Sequence, residues 1–164
     1  MRKPAKYWVE RLGLEPHPDG GYFKETYRSS ASTEFTDFSS ERNVSTGIYF
    51  LLTAGNFSAF HRIKSDEMWH FYSGDAISIY VIDQNGKLNE INLGLDLEKG
   101  QVPQAVVPAH CWFASKVQDG GAYGLVGCTV APGFDFEDFE MADRNQLRAE
   151  FPEHKELITS LTRI

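Results

Sequence analysis

Gly55-Asn56-Phe57-Ser58-Ala59-Phe60-His61-Arg62-Ile63-Lys64-Ser65-Asp66-Glu67-Met68-Trp69-His70-Phe71-Tyr72-Ser73-Gly74 is the stretch whose reading decides the fold. Its two apolar runs, 57–63 and 67–72, are short and bounded by turn residues, so each reads as a strand. One strand carries His61 inward, a hairpin turn reverses the chain, and the next strand returns Glu67 into the same interior. Gly74 permits the sharp turn that ends the pair.

Working outward, similar runs recur at near-regular intervals: 44–53, 76–83, 88–93, 102–107, 112–117 and 123–131. Turn signals separate them, among them Ala54-Gly55-Asn56, Ser73-Gly74-Asp75, Asn85-Gly86 and Asp119-Gly120-Gly121. Within 76–83, Ile77, Ile79 and Val81 share one face and Ser78 and Tyr80 the other, the period of a half-buried strand. About eight strands joined by hairpin-length links describe a jelly roll or closed barrel. Upstream, Tyr22 to Arg28 reads as a further strand, preceded by the breaker Pro16-His17-Pro18-Asp19-Gly20-Gly21 and followed by a Ser/Thr-rich loop, 29–40. Tyr7, Trp8 and Leu12 at helical spacing before Gly13 predict a short N-terminal helix. Residues 143–164 predict C-terminal helices interrupted at Pro152, with Leu157, Ile158 and Leu161 as their apolar stripe.

Composition supports this reading and narrows the function. The 164 residues fit one domain, with the barrel at about 20–132 and the helical tail at about 143–164, and 41% hydrophobic content suffices for a core. Fourteen Gly, 12 Phe, 7 Tyr and 3 Trp suit short strands, tight turns and bulky packing. A net charge of −7 with scattered Lys and Arg argues against nucleic acid as a partner. No stretch has the length of a membrane span. Cys111 and Cys128 have neither metal-knuckle nor disulfide-framework spacing, and reduced thiols in a cytoplasmic protein are expected.

Gly55, His61, Ile63, Glu67 and Gly74 occupy the fixed positions of the first signature of the cupin superfamily, and four of the five match. Pro108-Ala109-His110-Cys111-Trp112-Phe113 stands where the second signature belongs, with His110 at the usual turn Gly and Phe113 at the usual metal-binding His. Longer passages resemble one cupin branch, long filed as a domain of unknown function and described as sugar-epimerase-like. They are 16–23, 65–71, 106–109 and Val126-Gly127-Cys128-Thr129-Val130-Ala131-Pro132-Gly133-Phe134. The resemblance runs from about residue 5 to 140. It implies an all-β fold, a single cupin-type double-stranded β-helix or jelly-roll barrel, and a function only at the level of a class.

Cupins often hold a metal with three His and one Glu, but Ile63 and Phe113 replace two of those ligands here. The expectation is therefore a site without a metal cofactor, the alternative being a divalent ion held by His61, Glu67 and His70. Strand parity sets His70 opposite Glu67 unless a bulge intervenes. With no metal, His61 can act as general base with Glu67 orienting it, or it can be a hydrogen-bonded core histidine. The resemblance favours the base, since in metal-free sugar-nucleotide epimerases an inward His removes a sugar proton and a Tyr returns one, with Tyr49 and Tyr72 in neighbouring segments here.

Ligand contacts are expected from Trp69 and Trp112 as aromatic walls, from Gln104 as a polar residue in an apolar run, and from Tyr49 and His70. Glu25 and Arg28 can fix polar groups at the mouth, although their strand equally suits a charged edge or a dimer contact. The alternating segment 132–140 reads as a lid or, preferably, an exit segment that buries its Phe side chains and leaves its carboxylates in water. The combined expectation is a homodimeric small-molecule-binding cupin with a sugar or nucleotide-sugar-like ligand, acting as a metal-independent epimerase or isomerase. A non-catalytic metabolite-binding protein and a metal-dependent enzyme are the alternatives.

Overall fold

Thirteen strands and three short α-helices make up the structure, a computed structural model that describes residues 1–164. The helix α1 (Ala5–Leu12) is stopped by Gly13 in the left-handed conformation, φ 66°. The strands are β1 (Glu15–Pro16), β2 (Tyr22–Arg28), β3 (Ser32–Thr33), β4 (Arg42–Asn43), β5 (Thr46–Thr53), β6 (Phe57–Arg62) and β7 (Asp66–Gly74). They continue with β8 (Ile77–Ile82), β9 (Leu88–Leu93), β10 (Gln104–Val107), β11 (Trp112–Val117), β12 (Tyr123–Ala131) and β13 (Glu140–Met141). Helices α2 (Arg144–Glu150) and α3 (Lys155–Ser160) close the chain, with a 3₁₀ turn starting at Pro152 between them.

The long strands form two sheets, ordered β1-β2-β5-β12-β7-β10 and β13-β6-β11-β8-β9, with β3 and β4 pairing separately. From β5 to β8 and again from β9 to β13 chain neighbours alternate between sheets, the crossing pattern of a jelly roll, while β8 and β9 form a hairpin within one sheet. One expectation is thereby corrected. The runs holding His61 and Glu67 are not a hydrogen-bonded hairpin: β6 and β7 belong to opposite sheets, and the chain turns a corner at 63–65 between them. Both side chains still enter one interior, because that interior lies between the sheets.

Side-chain alternation partitions the apolar residues. Phe50 and Leu52 of β5, Val126 and Cys128 of β12, and Ile77, Ile79 and Val81 of β8 point between the sheets and pack with Trp69 and Phe113. Their strand neighbours face outward but are not bare. Leu51, Tyr123 and Leu125 are covered by Trp8, Val9 and Leu12 of α1. Phe60, Ile82, Trp112 and Ala114 are covered by Leu147, Ile158 and Leu161 of the C-terminal helices. Each fully buried Leu or Ile contributes about 1.5–3 kcal/mol, so the helices are what make two-sided apolar strands stable. No helix is long and apolar enough to cross a membrane.

The segment after β12 also departs from expectation. Asp138 is buried rather than solvated, in a two-bonded ion pair with Arg42 at 2.9 Å for both Nε–Oδ2 and Nη2–Oδ1. Arg42 Nη2 also donates to Glu137 at 3.0 Å. This clamp ties the segment to β4 and holds its aromatic side chains over one end of the barrel.

Candidate functional site

At that end lies a cavity of about 290 Å³ between the sheets, half open to solvent. Its wall is built from β2, β5, β6, β7 and β12, the loop before β2, and the segment after β12. Phe23, Trp69, Phe134, Phe136 and Phe139 supply an aromatic lining, and the polar groups His17, Asp19, Ser58, His61 and Glu67 project among them.

A bulge sets two of these groups. Phe113 opposes His61 and Ser115 opposes Ser58, so β6 spends one residue more than β11 over this stretch. Ser58 and His61, three residues apart, would otherwise face opposite ways; the extra residue lets both reach the cavity. The loop before β2 brings in the third. Asp19 is 2% exposed and its backbone carbonyl accepts from Ala59 N–H at 2.9 Å. Gly20, at φ 115°, makes this approach possible, since a Cβ there would sit 1.9 Å from the Phe57 carbonyl oxygen.

Asp19 is the hub of the polar network. Its Oδ2 accepts from Ser58 Oγ at 2.7 Å and lies 3.2 Å from His61 Nδ1, while Oδ1 contacts His17 Nδ1. Burial alone would raise the Asp19 carboxyl, but His61, His17 and Ser58 outweigh it and hold the group below the ordinary range. It is therefore an anion at neutral pH.

His61 Nδ1 is also 2.7 Å from the Ala59 carbonyl oxygen. A carbonyl only accepts, so Nδ1 carries the proton and Nε2 holds the lone pair. Nε2 has no protein partner and keeps access to the cavity. Burial lowers the His61 pKa, against the opposing pull of Asp19, so the ring is neutral near pH 7. The ring is wedged between Phe113 and Phe139, at centroid distances of 4.1 and 5.1 Å. Tautomer, charge and orientation of a base are all set.

Glu67 enters from the opposite sheet. Burial pushes its pKa up to about 7, moderated by the Cys128 thiol that donates toward it and raised further by the Asp19 charge. Trp69 stands beside it, with a buried Nε1 that makes no hydrogen bond of standard geometry. A carboxyl poised in this range can give a proton at neutral pH.

The structure thus brings His61, Glu67, Trp69, Glu25 and Arg28 to one cavity. Tyr49, His70, Gln104 and Trp112 lie elsewhere, each for a reason of parity. Ile48 and Phe50 face inward, so Tyr49 between them faces out and packs against Tyr72 at 6.2 Å. His70 follows inward Trp69 and lies on the outer face, bonded to Thr129 at 3.0 Å and to Gln104 at 3.2 Å. Trp112 precedes inward Phe113 and is buried beneath the C-terminal helices, with the Arg62 guanidinium 4.3 Å over its ring.

Two expectations change with these placements. The carboxylate that orients His61 is Asp19, not Glu67, and no Tyr lines the cavity. Nor do the residues fit the metal of other cupins. His70 faces away, Ile63 and Phe113 offer no donor atom, and no group of three or more His, Cys, Asp or Glu side chains has a metal site's arrangement.

The molecule is an antiparallel jelly-roll barrel with a pocket of aromatic and ionisable residues at one end, an architecture that cupins share. Residues 6–142 match the family described as Cupin superfamily (DUF985), and the chain belongs to it. An uncharacterized protein of Saccharomyces cerevisiae, YML079W, is 32% identical over 142 residues, spanning 76% of this chain and 68% of that one. A hypothetical protein from Leishmania major superposes with TM-score 0.92 at 34% identity, covering 99% of this chain and all of the other. Protein SO0799 from Shewanella oneidensis superposes with TM-score 0.90 at 40% identity, covering 98% of each chain. Oxalate decarboxylase from Bacillus subtilis shares the fold at TM-score 0.55 and 14% identity, over 89% of this chain and 36% of that enzyme.

Proposed function

We propose that the cavity binds a small carbohydrate-like carbonyl compound and moves a proton on it without a metal, as an isomerase or epimerase. The observation that carries this reading is His61, fixed as the Nδ1-protonated tautomer by Ala59 and Asp19 with Nε2 left to the cavity. In such a step Nε2 takes the proton from the carbon next to the carbonyl, while the Glu67 carboxyl gives its proton to the carbonyl oxygen. The product is a neutral enediol, His61 as imidazolium and Glu67 as carboxylate. Return of a proton from His61 to carbon and from a hydroxyl to Glu67 completes the rearrangement and restores both groups. Asp19 stabilises the imidazolium midway, and Phe113 and Phe139 hold the ring in position.

The test is hydrogen exchange. Incubation of the protein with free aldoses and ketoses in deuterated water should place deuterium on carbon, and His61→Ala should abolish this. Binding of such a compound with no exchange would reduce the site to a recognition pocket. We further propose a homodimer formed along β2, because β1 covers only Tyr22 and Phe23 and leaves the edge from Lys24 to Arg28 unpaired. A monomeric mass in light scattering would overturn that.

A further inference from the structure

Carbohydrates reach such enzymes either free or carrying phosphate, and the cavity has features that bear on which. The acids on its wall are Asp19, Glu25, Glu67 and Asp135, against Arg28 as the lone Arg or Lys. Arg28 is already committed: Nε and Nη2 donate to Glu25 at 3.2 and 2.6 Å, Nη1 to Asn43 at 2.8 Å, and Nη2 also to the Phe134 carbonyl at 3.0 Å. Arg42, the next cation behind the aromatic segment, is equally spent on Asp138, Glu137 and the Ser40 and Glu41 carbonyls. Asp135, whose Oδ1 accepts from Glu137 N–H, adds a further carboxylate to the wall.

A phosphate needs several free donors or a guanidinium that can present two parallel N–H groups; four of the five N–H groups of Arg28 are engaged, so a single one remains and no parallel pair does. The surrounding field is also unfavourable, since the whole chain carries a net charge of −7. Size points the same way. At about 290 Å³ the cavity stands at the lower edge of the roughly 300–1,000 Å³ range of small-molecule sites, room for one ring.

We propose that this site takes uncharged, single-ring or open-chain monosaccharides and discriminates against their phosphate esters and nucleotide conjugates. The proposal rests on the reading of the cavity as a carbohydrate site and narrows its substrate class. Glu25 and Asp135 act as the discriminating charges, with Arg28 serving to hold Glu25 and the Phe134 backbone in place rather than to bind ligand.

The experiment uses matched probes on the intact protein: D-glucose, D-mannose, D-fructose and D-xylose, each beside its phosphate ester, and UDP-glucose. Saturation-transfer NMR and Trp fluorescence read binding, with His61→Ala as the control for occupancy of this cavity. At least one free sugar should bind, tenfold or more tightly than its ester. Asp135→Asn should narrow that gap several-fold, Asn retaining the acceptor that Glu137 N–H requires. Tighter binding of an ester or of UDP-glucose, lost in His61→Ala, would overturn the charge assignment and leave His61 as the base. Binding indifferent to His61→Ala would instead overturn the site, and binding of none of these probes would overturn both.

Discussion

The two halves of the barrel interior share strands but not contents. Toward one end, Leu52, Ile77, Ile79, Val81, Leu93, Val117 and Val126 fill the space between the sheets with apolar side chains, Ser115 opposite Ile79 being the buried polar exception. Toward the other, β5 and β12 continue as Thr46, Ile48, Cys128 and Val130 around a cavity that also holds His17, Asp19, Ser58, His61 and Glu67. The closed half draws on β8, which sends nothing to the cavity, and the open half on β2 and two loops. Stability and chemistry are therefore segregated along one barrel. Strain and buried charge are tolerated at one end because dispersion and burial at the other supply the excess.

The sharpest way to break this division is in the closed half. Ile79→Ala removes a fully buried side chain and should cost about 2–5 kcal/mol, or roughly 4–20 °C in Tm, while whatever protein remains folded keeps its ligand affinity. Urea denaturation with a binding assay on the folded fraction checks both parts. Loss of affinity in the folded fraction would mean that the halves are coupled.

Gly20→Ala strikes the boundary between them. A Cβ 1.9 Å from the Phe57 carbonyl at φ 115° forces the Asp19 loop off β6, at about 1–3 kcal/mol in stability. Here the loss of ligand binding should exceed what the stability change explains, because Asp19 leaves His61 unoriented.

His61→Ala belongs to the open half alone. Its stability cost should be near 1 kcal/mol, whereas turnover should fall about 10²–10⁴-fold, the usual contribution of a general base. Glu67 adds a pH signature. Activity requires neutral His61 and protonated Glu67, so it should decline above about pH 7 as Glu67 ionises, and decline in acid as His61 gains its proton. Glu67→Gln, which has no proton to give, should lower turnover at every pH and leave the residual activity without the alkaline decline. The same shifts act on stability with determined signs. The Glu67 pKa is raised on folding, so its contribution is fully present below about pH 4.5 and is lost as pH rises through about 7. Asp19 is depressed, so its contribution is present above its unfolded value of 3.8 and is lost as pH falls. A stability profile against pH for Glu67→Gln beside the parent isolates the first.

The smallest expected effect is that of EDTA, which should leave Tm unmoved, since His61 and Glu67 lack a third ligand and the closed half forms without help. A drop of several degrees would show that metal contributes to folding.

Much of this architecture was legible in the residues. Ile77, Ile79 and Val81 alternate with Ser78 and Tyr80 because a strand's period is two, and the structure keeps that division. The helical stripe of Leu157, Ile158 and Leu161 likewise packs where its spacing required, on an apolar sheet face. Of the cavity, His61, Glu67 and Trp69 could be read from the first signature. Asp19 and His17 could not, because Pro16 to Gly21 shows no periodicity and its meaning lies in what the loop touches. The one available signal was Asp19 followed by paired glycines, the mark of a backbone that must pass close to another. The segment 132–140 reads as either a lid or an exit segment, because Phe at 134, 136 and 139 looks the same in sequence whether it packs on a barrel or over a pocket.

Local period and turn residues carry the strands and the covering helices, and the first cupin signature is what marks His61 and Glu67 as inward. That β6 and β7 lie in opposite sheets, that a bulge turns Ser58 and His61 to one side, and that Asp19 is the carboxylate His61 meets are outcomes of the folded chain. Those outcomes depend on register and on contacts between residues 39 and 42 positions apart in the chain, and no local pattern encodes them.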